Sequence, residues 1–331
     1  MTKELLLLYK KLFFTLPNTT PSLNMYAIVD TARNPSLQEK VMLSGLNYVD
    51  LWHQEMFELD AERPLYLIQL EKDNALIELL LSQHKQSVAT YLISPYELET
   101  LQMYYRNFTY VQIEEQEGKN EGAIFGYYDP NVLPTYMQTL YNQEKIDEFF
   151  AGVAMWLMPS VTQEELLYIA YKNKKEQIED VTLNLNLFLQ EEEATLNFND
   201  LYFPNQSNLA PSIDEIIIDY TQMQRFDALQ KERFVKTSLQ MYQTQGYREI
   251  ETNQTSIDKS MVLIYEAMEA GIEKDIGLQR YMLLGLLLGK SLKGYAFYKE
   301  IVYAPMQEKK IEILEQLLWK LEKQRRAHDK Q

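Results

Sequence analysis

The stretch from Ser94 to Leu133 constrains the fold more than any other part of the chain. It opens Ser94-Pro95-Tyr96-Glu97-Leu98, passes Tyr105-Arg106-Asn107-Phe108, and closes Phe125-Gly126-Tyr127-Tyr128-Asp129-Pro130-Asn131-Val132-Leu133. Ser94 is spaced to cap the orphan N–H groups of a helix, Pro95 suits a first helical position, and Glu97 stands where a capping box closes. Asp129-Pro130 repeats the device after an aromatic strand. Between them, the acidic segment Glu114 to Glu121 contains glycine and reads as the turn of an antiparallel hairpin. Its strands are Tyr110–Ile113 and Ala123–Asp129, near a sheet edge. A helix, a hairpin and a second helix start are therefore expected in that order.

The chain before this stretch alternates strands with helices. Residues 2–15 carry Leu5, Leu8, Tyr9 and Leu12 at helical spacing. Met25 to Asp30 is a nearly continuous apolar run, the mark of a strand buried on both faces. Ser36 and Glu39 are spaced as a capping box for the next helix. Further strands are expected at Tyr48–Trp52, Leu65–Leu70 and Val88–Ile93, with helical spacing from Leu76 to His84. This pattern predicts an α/β N-terminal domain with a mixed sheet over residues 1–159.

Pro159 marks a boundary. Thr162 opens a predicted helix to about Ile178. Alternation over Val181–Leu189 and Ala194–Phe203, about Glu191–Glu193, then predicts a β-hairpin within residues 181–204, with a helix as the alternative reading. Residues 160–210 thus form a connector. Residues 211–331 read as a helical C-terminal domain, with helices at Ser212–Tyr242, Ser256–Ala270, Ile276–Leu288 and Gln307–Arg325, which makes the whole α+β. The last helix bears one amphipathic stripe of Ile311, Leu314, Leu317, Leu318 and Leu321.

Several function classes are disfavoured. With a formal charge of −16, the chain lacks the basic face that a general nucleic-acid binder needs. The absence of cysteine removes thiolate metal sites and disulfides, and His53, His84 and His328 are scattered without zinc spacing. Leu5–Leu8 is shorter than the roughly 7–15 apolar residues of a signal peptide. Tyr281–Gly289 is far short of the ~20 that span a bilayer. These features predict a cytoplasmic, soluble protein without membrane insertion. No glycine-rich phosphate loop follows the first strand, and Gly289-Lys290-Ser291 imitates a P-loop end without the strand that a P-loop needs. No serine sits in a G-x-S-x-G elbow.

The remaining polar candidates are few. Asp30 ends the first strand, where open sheets often place ligands, with Arg33 beside it and Asp129 within reach. The structural alternative is that Asp30 caps a loop or pairs with Arg33. Arg106 is placed to cap carbonyls or to pair with a carboxylate such as Asp129. Of the 24 tyrosines, clusters such as Tyr295, Phe297, Tyr298 and Tyr303 are expected in the core rather than at a contact surface.

Taken together, Tyr26–Arg33, Ser94-Pro95 with Glu97, Leu98, Leu101 and Arg106-Asn107-Phe108, and Phe125–Leu133 resemble the type VI secretion effector-chaperone family over about residues 25–155. The match extends loosely to Glu269–Asp275 and Leu286–Ser291. One departure is Gly126, where the family usually has an arginine. The resemblance implies a non-catalytic cytoplasmic adaptor that binds a cognate toxic effector and helps load it onto the VgrG spike. On that reading there is no catalytic residue, cofactor or metal, and Asp30, Arg33, Ser94, Pro95, Arg106, Asp129 and Pro130 are structural. The rival is an α/β enzyme with a polar site of Asp30, Arg106 and Asp129. A third reading is a structural component of the secretion apparatus.

Overall fold

The computed structural model describes Leu6, residues 23–52, 64–71, 73–83, 86–114, 120–160 and 166–184, Tyr202, and residues 216–328. The expected helix over 2–15 therefore lies outside the described residues except at Leu6, as do His53, His84 and most of the 181–204 segment. Two compact units divide the chain, residues 1–226 and 227–331.

In the first unit the chain runs β1 (Asn24–Asp30), α1 (Ser36–Met42), β2 (Tyr48–Asp50), β3 (Leu65–Gln69), α2 (Ala75–Ser82), β4 (Ala89–Ser94) and α3 (Leu98–Tyr105). A 3-10 turn over Arg106–Thr109 leads to β5 (Tyr110–Glu114), β6 (Asn120–Ile124), α4 (Leu133–Thr139), α5 (Gln143–Phe150), β7 (Met155–Pro159), β8 (Leu166–Lys172), β9 (Ile178–Asn184) and β10 (Ile217–Ile218). Seven strands form one sheet in the order β2-β3-β1-β4-β7-β8-β9, and β10-β5-β6 form a second. The small sheet is mixed: β10 runs parallel to β5 and β6 antiparallel to it. Every pairing in the large sheet is antiparallel.

The large sheet is nevertheless covered on both faces. Ala27 and Val29 of β1 pack with Leu37 and Val41 of α1 and with Leu76, Ile77 and Leu80 of α2. Tyr26 and Ile28 point the other way, as strand periodicity requires, into a second core. There they join Leu101, Tyr104 and Tyr105 of α3, Tyr136 of α4, Phe149 of α5 and Trp156 of β7. This core is largely aromatic: Phe149 stacks on Trp156 at 5.3 Å and Tyr105 meets the same indole edge-on at 5.5 Å. Its hydroxyls find backbone partners, with Tyr26 donating to Tyr96 O at 2.6 Å, Tyr105 to Phe149 O at 2.8 Å and Tyr127 to Tyr105 O at 3.1 Å.

Three local expectations change. The described part of the helix expected from Thr162 is strand β8, because Leu167-Tyr168-Ile169-Ala170-Tyr171 pairs along both β7 and β9. Asn173 closes the following turn by accepting from Lys175 N at 2.9 Å and Gln177 N at 3.0 Å. Val181–Asn184 therefore complete β9 against β8, and residues 185–201, the rest of the expected hairpin, lie outside the described residues. The sheet runs on past the boundary marked at Pro159. Ser212 lies outside the described residues, but within the helix expected from it Ile217–Ile218 form β10, since Ile216-Ile217-Ile218 is a β-branched run and Gln112 N donates to Ile216 O at 2.8 Å; the helix that follows starts at Tyr220.

Capping serines also act differently. Ser94 is the last residue of β4, and α3 begins only at Leu98. Its hydroxyl donates to Gly152 O at 2.6 Å and accepts from Tyr96 N at 3.0 Å, so it ties a strand end to the loop before β7. Pro95 correspondingly lies in the bend before α3 rather than in its first turn. Ser36 makes no cap bond; Asn34 Oδ1 accepts from its N–H at 3.2 Å instead.

The second unit contains α6 (Tyr220–Thr244, whose first turns belong to the first unit), α7 (Gln254–Glu269), α8 (Asp275–Leu288), α9 (Ala296–Tyr303) and α10 (Gln307–His328). Asn253 caps α7 by accepting from Ser256 N at 2.9 Å. Helices α7 and α8 approach closely at Gly285, where an added Cβ would meet Leu263 Cδ1 at 2.7 Å. Gly289 ends α8 in the left-handed region at φ 71°, which accounts for the P-loop-like triplet as a helix C-cap. At the end of α7 the buried Lys310 of α10 donates to Ala270 O at 2.5 Å.

Candidate functional site

The residues singled out in the sequence converge in part. Asp30 closes β1, and its Oδ1 accepts from Ala32 N at 2.9 Å, an Asx turn that swings Arg33 back over it. Arg33 Nε then stands 3.3 Å from Asp30 Oδ2, while its Nη2 donates to Asp129 Oδ2. Asp129 repeats the Asx device: its Oδ1 accepts from Asn131 N at 2.8 Å, setting the turn that enters α4. One guanidinium thus joins two short acidic turns that lie far apart in sequence.

Two further residues complete this clasp. Asn131 Nδ2 donates to Ser87 Oγ at 2.6 Å, and Ser87 adopts a left-handed φ of 55° just before β4. Thr90 of β4 donates to Tyr128 O at 2.6 Å. Sequence reasoning does not reach Ser87 or Asn131; the trace available is the Asp-Pro-Asn order, which favours an Asx turn. Pro130 sits inside that turn, where its fixed φ suits the approach to the helix.

Arg106 stands outside this group. It opens the 3-10 turn after α3, and its positive charge acts on Asp50 at the end of β2. The pairing of Arg106 with Asp129 is thus replaced by Arg33 with Asp129, and the trio Asp30, Arg106 and Asp129 does not gather into one site.

Electrostatics agree with a holding role. Burial pushes the Asp30 carboxyl above its ordinary value; the Ala32 N–H and Arg33 oppose the shift, and the neighbouring Asp129 adds to it. Each carboxylate is engaged by a backbone N–H and by the arginine, so the arrangement can orient two loops. Among the described residues, the contacts of this clasp are made by Asp30, Arg33, Ser87, Asp129 and Asn131, with no histidine or lysine among them.

A different kind of surface lies on the helical unit. Val262, Tyr265 and Met268 are exposed at three-residue spacing along α7, with Lys231 5.0 Å above the Tyr265 ring. Tyr303 is 81% exposed and Trp319 62%. Tyr303 therefore does not belong to the core in which its cluster was expected, whereas Tyr295, Phe297 and Tyr298 pack partly buried against it. Among the described residues, no helix is long and apolar enough to cross a membrane. Neither a curated protein nor a solved structure matches the chain. Residues 25–146, which hold both halves of the Arg33 clasp, match the family model described as Domain of unknown function (DUF4123).

Proposed function

We propose that this protein is a non-catalytic cytoplasmic adaptor that binds a cognate type VI secretion effector and helps load it onto the VgrG spike. The observation that carries this reading is the DUF4123 match over residues 25–146, the domain to which the effector-chaperone resemblance points. Two features of the molecule support it. The motif residues Asp30 and Asp129 each accept from a backbone N–H of their own turn and face the Arg33 guanidinium, a use that holds turns together. The helical unit also exposes large apolar side chains of the kind that anchor protein interfaces, including Tyr265, Tyr303 and Trp319.

In this mechanism recognition is shape and hydrogen-bond complementarity, with a few aromatic anchors supplying most of the energy. The test is affinity capture of the tagged full chain from its native host while the secretion genes are expressed, with bound proteins identified by mass spectrometry. Recovery of one large toxin-like protein, with or without the spike, is the expected result. A clean lane under those conditions would overturn the proposal.

A further inference from the structure

A cavity of about 260 Å³ opens in the first unit between the small sheet, α4 and the first turns of α6. Its walls include Ile113, Ile124, Phe125, Tyr136, Met223 and Phe226, and no charged side chain lines it among the described residues. In this apolar wall stands Gln222. Its side chain is fully buried, and neither Oε1 nor Nε2 has a hydrogen-bond partner among the described residues. Burial pushes the Tyr136 hydroxyl up and the Gln222 amide beside it opposes that shift, although the two do not meet in full hydrogen-bond geometry. Gln222 is also held in place: its backbone N–H donates to Asp219 Oδ1 at 2.9 Å, in the cap of α6.

A buried carboxamide with both ends unmade bears the desolvation cost of a donor and an acceptor together. Its natural complement is a group that offers one acceptor and one donor in the same plane, and the peptide group is such a group. The space is smaller than the roughly 300 Å³ at which sites for drug-sized ligands begin, which disfavours a nucleotide or cofactor. The uncharged walls disfavour an ionic ligand. Strand β6 is the outer strand of the small sheet, and among the described residues its far edge pairs with nothing. Ile124 at the end of β6 and Phe125 after it both line the cavity, so a segment laid along that edge brings its side chains to the opening.

We propose that this cavity receives an apolar side chain from an extended, uncharged peptide segment of a partner protein, whose peptide group pairs with the Gln222 amide. The inference rests on the reading of the chain as a protein-binding adaptor and adds the place and chemistry of one contact.

The experiment titrates acetyl-Thr-Val-Leu-Val-Thr-amide into the full chain carrying labelled isoleucine and methionine methyl groups. Saturable shifts are expected at Ile113, Ile124, Ile218 and Met223, with at least tenfold weaker binding of the same peptide bearing aspartate at its centre. Gln222→Leu is expected to weaken binding at least tenfold while the melting temperature holds or rises, because an unsatisfied polar group has been removed. Gly126→Leu, at a lining position where an added Cβ meets nothing within 4 Å, is expected to obstruct binding with Gln222 intact. Absence of saturable shifts at these methyls, or peptide binding unchanged in both variants, would overturn the inference. So would a Gln222→Leu chain that folds but melts several degrees lower, since the amide would then be satisfied within the fold. The two proposals fail separately. Effector capture without peptide shifts removes the cavity contact alone, whereas peptide binding with a clean capture lane removes the secretion reading alone.

Discussion

Arg33 and Asp129 are 96 positions apart in the chain, yet the guanidinium of one donates to the carboxylate of the other while its Nε stands 3.3 Å from Asp30. The loop after β1 and the turn into α4 are thereby fixed to one another, and the position of α4 over the aromatic core depends on that tie.

Arg33→Met is expected to lower stability by about 1–2 kcal/mol, a modest figure because the Arg33 side chain is 38% exposed and partly screened. The loss should depend on pH. Burial raises the Asp30 carboxyl in the folded state. Its contribution is therefore fully present below the unfolded-state value and is lost as pH rises through the folded-state value. Without Arg33 the two carboxylates face each other uncompensated, so the deficit of the variant should be larger at pH 7 than at pH 4. Chemical denaturation of both chains at the two pH values checks this; an equal deficit would count against a charge-based tie.

Gly285→Ala is expected to destabilise the helical unit by about 1–3 kcal/mol, the usual cost of overpacking a well-filled contact. The new methyl would meet the Leu263 side chain, with Cγ at 3.1 Å. Pairing it with Leu263→Ala should recover part of the loss, and a double-mutant cycle in urea reads the coupling directly.

Lys310 is buried, and its ammonium reaches Ala270 O at 2.5 Å and Val302 O at 3.3 Å, joining the ends of α7 and α9 from α10. Lys310→Met keeps most of the stem but leaves those carbonyls without their donor, so a loss of about 1–3 kcal/mol is expected. Thermal unfolding followed by circular dichroism would show it. No change in the midpoint would mean that other donors replace the ammonium.

Tyr265→Ala should leave the melting temperature within a degree, since the ring is exposed and its neighbours Val262 and Met268 are exposed too. If α7 presents the partner-binding face, capture of the effector falls at least fivefold. Full capture by this chain and by Trp319→Ala would move the contact surface off the helical unit.

How much of this was legible in the sequence depends on the range of each interaction. The run Met25–Asp30 announces burial on both faces, and β1 is buried on both. It carries no information about direction, because the covering helices and not the strand polarity produce the apolar run, and so the sheet is antiparallel where alternation with helices suggested otherwise. Helices α7, α8 and α10 are legible because their spacing is local and strong. Strand β8 is not, since Leu and Tyr suit either state and only its pairing with β7 and β9 decides. At the clasp, Asp30 with Arg33 is a near neighbour and could be read. Asp129 needed a choice between Arg33 and Arg106, and only the fold makes it.

The tyrosine hydroxyls that donate into the aromatic core have a consequence at the alkaline end of the pH scale. Burial pushes Tyr26 up to about 12, and it pushes Tyr104, Tyr105, Tyr127 and Tyr136 higher still. In the unfolded chain these protons leave near pH 10. Stability is therefore intact below that value and drains as pH rises above it, since unfolding then releases protons that the core retains. The hydroxyls that lock strand to loop at neutral pH become the means by which base takes the unit apart. Tyrosinate absorbance should accordingly appear as a steep step that coincides with loss of circular dichroism, rather than as the broad titration of surface phenols.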